Sequence, residues 1–193
     1  LRQKMAEFGV QFSQVDAAYP MSGKCGASRG LPYVLKTIPW AKLAGCRRVA
    51  TTDGLTKPEG LTDDEAMANM KRSYEQIVEV AEANDIIITF EVHGYFTTNP
   101  DRLAQMLDFV DSPNLRLNFD TGNTFIAGED PVAFCDRFID KIEHVHVKDV
   151  SASMAEAMRG KDTGIAISQC AIGDGVNADN IRTCLSKLHA HGF

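Results

Sequence analysis

Three short apolar runs in this chain each end in groups that bind cations or move protons. Ile86–Glu91 leads into Val92-His93, and Leu115–Asp120 leads into Thr121-Gly122-Asn123. Ile142–Val147 carries His144 and His146 and leads into Lys148-Asp149. Nearly continuous apolar runs of this length suit strands buried on both faces, as in parallel sheets covered by helices.

The segments between the runs read as helices. Thr62-Asp63-Asp64-Glu65 has the spacing of a capping box, hydroxyl and carboxylate each within reach of an orphan backbone N–H. Met67, Met70, Tyr74, Ile77, Val78 and Ala81 follow at helical intervals, a stripe expected to fill a core. Asn99-Pro100 and Asp130-Pro131 each set a capping side chain before a proline at the first helical position. Leu103, Met106, Leu107 and Val110 line the first of these two helices. Asn177 opens a last helix bearing Ile181, Cys184, Leu185 and Leu188, with Gly192 as its stop. Nearer the front, Leu1–Phe8 reads as a helix tail, Gly9–Val15 as a short strand and Arg47–Thr52 as another. Gly30–Gly45 reads as mostly helical, with Pro39 forcing a kink or break.

Strand and helix thus alternate about five times, which implies parallel strands. A doubly wound sheet would announce itself by a glycine-rich first turn for a nucleotide, and none is present. Polar residues close several strands instead, favouring an α/β fold of the (β/α)8 barrel type with its site at the carboxyl ends of the strands. No linker or repeat divides residues 1–193, so one domain is expected.

Composition narrows the partners. A net charge of −6 argues against a general nucleic-acid or anionic-membrane binder. No apolar run nears the ~20 residues that span a bilayer. The five cysteines form no Cys-x-x-Cys pair, so a zinc finger or ribbon is not expected, most of them are read as core, and a reducing cytoplasm fits.

Side chains on a strand alternate faces. Glu91 shares a side with Thr89, Asp120 with Asn118, and His146 with His144 and Lys148. One arrangement puts Glu91, Asp120 and His146 around a common axis, and two carboxylates with an imidazole suit Mn²⁺, Mg²⁺, Co²⁺ or Zn²⁺. Each residue also has a plainer reading. Glu91 is then a solvated strand end, Asp120 the start of a turn and His144 a satisfied core histidine. His189 and His191 suit the negative end of the last helix. Gly173-Asp174-Gly175 reads either as an anion-holding loop or as a plain turn, and Asp53–Gly60 as a lid or a surface loop.

On Ile88-Thr89-Phe90-Glu91-Val92-His93, Asn118-Phe119-Asp120-Thr121-Gly122-Asn123, His144-Val145-His146-Val147-Lys148-Asp149 and Ile172-Gly173-Asp174-Gly175, the chain resembles the xylose-isomerase-like barrel superfamily, in particular its sugar-phosphate isomerase/epimerase branch. The resemblance implies one divalent metal held by Glu91, Asp120, His146 and a second glutamate that has no match here. It also implies an incomplete barrel, lacking the first strands and the last, since such barrels take roughly 250 residues. An incomplete barrel exposes strand edges, so the isolated piece is expected to be poorly soluble or inactive. Many relatives carry a histidine where this chain has Asn123. The apurinic endonucleases of the family need more histidines and an Asp-x-His before the glycine loop, where this chain has Ile167-Ser168-Gln169.

The activity so implied is metal-dependent isomerisation or epimerisation of a ketose, sugar phosphate or keto-polyol through an enediolate. Glu91 is the proton acceptor as well as a ligand. His93, Asn123 and Lys148 contact the substrate, and Asp149 and His144 support the ligands from behind. A dehydratase or lyase of the inosose dehydratase type shares the enediolate, and a non-catalytic sugar-binding barrel is the rival of another class. The expected partner is a small sugar or sugar phosphate, without nucleic acid or membrane; homo-oligomerisation is left open.

Overall fold

Thr62 caps the longest helix as its spacing predicts. Its hydroxyl accepts from the Glu65 N–H at 3.2 Å, and the Glu65 carboxylate accepts from the Thr62 N–H at 2.8 Å. The computed structural model describes residues 2–161 and 170–193. By their contacts the residues form two units: Leu1–Gly54, Pro58–Phe90 and Gln105–Arg116 in the first, and Leu55–Lys57, Glu91–Ala104 and Leu117–Phe193 in the second.

The first unit holds α1 (Arg2–Glu7), β1 (Val15–Asp16), α2 (Leu31–Ala44), β2 (Arg48–Thr51), α3 (Asp63–Glu82) and most of β3 (Ile87–Glu91). β1 pairs with β2 and β2 with β3, all parallel. Met70, Tyr74, Ile77, Val78 and Ala81 of α3 are buried, so the helical stripe is core, while Met67 is only half-buried. Tyr74 packs against Phe90 at 4.7 Å and donates to Thr51 Oγ1 at 2.9 Å. Burial raises its phenol's pKa well above the usual range. The strand expected over Gly9–Val15 is found only at Val15–Asp16. Val10 is 51% exposed and its N–H is spent on Met5 O of the preceding helix, so apolar character there does not mark a buried strand. α2 continues through Pro39 and stops at Gly45 in the left-handed conformation, so of the kink or break expected at Pro39 the break does not occur. Buried Val34, Ile38 and Ala41 anchor that helix on both sides of the proline, offsetting one lost backbone bond.

The second unit holds β4 (Leu115–Asp120) beyond its first two residues, α5 (Thr121–Ile126), α6 (Pro131–Phe138), β5 (Ile142–His146), α7 (Ala152–Met158) and α8 (Ala178–His191). A further helix, α4 (Pro100–Leu107), starts in this unit with Asn99 Oδ1 accepting from Asp101 and Arg102 N–H. Asp130 caps α6 likewise through Val132 and Ala133 N–H. β4 and β5 are parallel, with Asn118 opposite His144 and Asp120 opposite His146. The register shifts below that point, since Leu117 pairs with Ile142 and Asn118 with His144. The bulge sets Glu143 between the two pairings and lets Ile142 face the core with Leu117 while His144 and His146 turn to the other side. Phe134 stacks on Phe119 at 5.8 Å, and Ile181, Cys184 and Leu188 bury one side of α8. α5 and α7 answer to no helix in the sequence reading. Each begins on a capping side chain, Asp120 for α5 and Ser151 for α7. The fold is thus the α/β alternation of parallel strands and helices. No helix among the described residues is long and apolar enough to cross a membrane. Ile167-Ser168-Gln169 lies outside the described residues.

Candidate metal centre

Asp120 divides its two carboxylate oxygens between two tasks. As the last residue of β4 it is the N-cap of α5, and Oδ1 accepts from the Asn123 N–H at 2.7 Å. Oδ2 lies 3.8 Å from His146 Nδ1. Asp-Thr-Gly-Asn is therefore a helix start rather than an isolated turn, with Asp120 buried. Burial raises the Asp120 pKa, and the Asn123 N–H and Lys148 pull against that rise.

His146 ends β5 and meets Glu91, the last residue of β3, with Nδ1 at 3.1 Å from Oε1. His93 reaches the same oxygen at 3.2 Å. Burial alone would raise the Glu91 pKa, but hydrogen bonds from His146 and His93 bring it down to about 2. One ligand atom each from Glu91, Asp120 and His146 lies within 4.8 Å of the others. Donors held about 2.0–2.2 Å from one ion stand roughly 3–4.4 Å apart, so this set has close to the required spread. Two carboxylate oxygens and an imidazole nitrogen are also the donor chemistry of a divalent first-row ion.

The remaining candidates surround this cluster. Lys148 Nζ donates to Asn123 Oδ1 at 2.7 Å. Burial lowers its pKa, opposed by the charges of Asp120 and Glu91. His144 Nδ1 lies 3.1 Å from Asn118 Oδ1, which makes that nitrogen the donor, and Asn118 Nδ2 is 3.4 Å from both His146 ring nitrogens. Asn118 thus lies between His144 and His146 and contacts both rings. Asp149 is committed elsewhere. Oδ1 accepts from Val150 and Asn177 N–H, and Oδ2 from Gly173 and Gly175 N–H at 2.9 and 3.0 Å. Burial would raise its pKa, but these four donors hold it below the usual range. The N–H groups of Gly173 and Gly175, which an anion would use, are thus turned onto Asp149, and that of Asp174 is spent on Ala171 O. A Cβ at Gly175 would come within 2.3 Å of Asp149 Oδ1, so the turn closes only with glycine there.

Three contributors escaped the sequence reading. Asn118 was visible as a neighbour of Asp120 on one face, but its partners depend on the bulge in β5. Thr121 binds the Lys148 backbone through its hydroxyl, accepting from the N–H at 3.0 Å and donating to the O at 3.1 Å. Asn177 reads from the sequence only as a helix start, yet its side chain caps nothing and reaches back across the unit.

A family model described as Xylose isomerase-like TIM barrel matches residues 1–193. Among curated proteins, the inosose dehydratase of Clostridium beijerinckii is 30% identical over 81 residues, covering 42% of this chain and 27% of that protein. The inosose dehydratase of Bacillus anthracis is 23% identical over 146 residues, covering 72% of this chain and 49% of that protein. The chain thus spans at most about half the length of these relatives. A xylose isomerase domain protein from Planctomyces limnophilus superposes with a TM-score of 0.75 at 21% identity, over 97% of this chain and 69% of that one. The IOLI protein, solved with a bound zinc atom, superposes with a TM-score of 0.74 at 16% identity, over 100% of this chain and 69% of that one.

Proposed function

This chain belongs to the xylose isomerase-like TIM barrel family, and from that premise we propose that it dehydrates a keto-polyol with the help of one divalent cation held by Glu91, Asp120 and His146. The observation that carries the reading is the approach of those three ligand atoms to within 4.8 Å of one another. The curated relatives named inosose dehydratase support dehydration over isomerisation as the outcome.

A divalent ion in this position supplies Lewis acidity, stabilising negative charge that develops on a carbonyl oxygen. The chain's own groups do the rest. Glu91, kept ionised by its hydrogen bond from His93, takes the proton from the carbon beside the carbonyl. Asn123 and His93 hold substrate hydroxyls. Lys148, fixed by Asn123 Oδ1, gives its proton to the departing hydroxyl, which leaves as water. Isomerisation or epimerisation, the outcome expected from the sequence, begins with the same proton transfer and returns the proton instead of expelling water.

The test is incubation of the protein with Mn²⁺ and an inosose in D₂O. Loss of water, seen as a conjugated carbonyl absorbance, is expected, and Glu91→Gln slows it by roughly 10²–10⁴-fold. Deuterium incorporation without loss of water moves the assignment to isomerisation. Unchanged exchange in Glu91→Gln removes Glu91 from its role.

A further inference from the structure

Beyond Asp120 and His146 the strand ladder ends, because β4 turns into α5 and β5 passes into a loop. The two ligands would then depend on their strands alone for relative position. Two groups extend the connection. The Thr121 hydroxyl, one residue past Asp120, binds the N–H and O of Lys148, two residues past His146. The Asn177 carboxamide, arriving from the start of α8, donates from Nδ2 to Thr121 O at 3.0 Å and to Lys148 O at 3.3 Å. An amide nitrogen has two N–H groups, one for each carbonyl, so the side chain replaces the next rung of the ladder.

Asn177 is itself held on every side. It is 0% exposed. Its backbone N–H donates to Asp149 Oδ1 at 3.1 Å, and its Oδ1 accepts from Asn180 Nδ2 at 3.0 Å. Asp149 in turn binds the glycine loop that delivers Asn177, and Gly175 leaves that loop no slack. The chain from Asp149 through the loop to Asn177 and back to Lys148 is a closed circuit of hydrogen bonds behind the ligands.

We infer that Asn177 is a positioning residue of the metal centre, fixing the separation of Asp120 and His146 by clasping the backbones that follow them. The inference rests on the three-ligand reading and deepens it, and its test separates the two. Mn²⁺ affinity and the Co²⁺ visible absorption spectrum are measured on the full chain, next to thermal unfolding. Asn177→Ser removes the donor pair without adding charge. Asn177→Asp keeps the size and puts an oxygen where the donating nitrogen stood, so it deletes both bonds to the Thr121 and Lys148 carbonyls. Its added negative charge would by itself strengthen cation binding, so weaker binding in that variant reports lost geometry. Cys184→Ala, buried on the same helix, controls for stability alone. Both Asn177 variants are expected to bind Mn²⁺ about tenfold more weakly with an altered Co²⁺ spectrum, a range typical of groups that orient metal ligands. Cys184→Ala should lower the melting temperature and leave both metal readings unchanged. Folded Asn177 variants with wild-type affinity and spectrum overturn the inference. A wild-type chain that binds no Mn²⁺ overturns the three-ligand reading beneath it.

Discussion

Asp120 and His146 face each other across the parallel pairing of β4 and β5, with Oδ2 and Nδ1 3.8 Å apart, while Asp120 Oδ1 caps the helix that follows. The two tasks of this carboxylate separate by mutation. Asn caps a helix about as well as Asp, whereas Ala forfeits about 1 kcal/mol at such a position. Asp120→Asn also removes a buried charge. It should unfold at the wild-type temperature or higher and lose at least tenfold in Mn²⁺ affinity. Asp120→Ala should lose the metal and the cap together. Calorimetry of unfolding and of binding reads both effects.

Glu91 carries a pH dependence whose sign follows from its environment. Its pKa is lowered from 4.5 to about 2 in the folded chain, so the ionised form is the one that folding favours. That contribution to stability is fully present above pH ~4.5 and drains away as pH falls toward about 2. Urea unfolding at steps between pH 5 and pH 3 should show stability falling with acid, and Glu91→Gln should flatten its share of the slope. An identical slope in the variant would mean that the bonds from His146 and His93 do not favour the carboxylate.

Strand ends were the legible part of this molecule. Glu91, Asp120 and His146 each close an apolar run, and alternation alone set them on usable faces. The helix α5 stayed hidden because Thr, Gly and Asn are poor helix formers, and only the cap on Asp120 marks its start. The strand read at Gly9–Val15 shrinks to its last residue for the opposite reason, since Val10 and Phe12 are apolar yet lie outside the sheet. Asn118, Thr121 and Asn177 act through register or through backbone carbonyls. Such partners are set by the bulge at Glu143 and by the route of the chain behind the site, which a residue pattern does not encode. Asp149, read as a support for His146 or Lys148, gathers four backbone N–H groups, partners visible only once the glycine loop folds onto it.

Gly122 leaves room for the stem of Lys148. A Cβ there would lie 2.5 Å from Lys148 Cγ and 2.7 Å from its Cβ, too close to the backbone for a rotamer change to relieve. Gly122→Ala should therefore push the Lys148 backbone away, displacing the ammonium from Asn123 and loosening the backbone bonds to Thr121. A fall in kcat/KM of about tenfold, equivalent to ~1.4 kcal/mol and carried by kcat, with weaker Mn²⁺ binding is the expected pattern. Steady-state kinetics beside a metal titration checks it, and unchanged kcat would remove Lys148 from proton transfer.

The most direct test of the account is calorimetric titration of Mn²⁺ into the chain and into a variant carrying Glu91→Gln, Asp120→Asn and His146→Gln together. The account predicts one ion bound per wild-type chain, with protons released as the ion takes the place of the hydrogen bond between Glu91 and His146, and no binding by the triple variant. Equal binding by both proteins would contradict it.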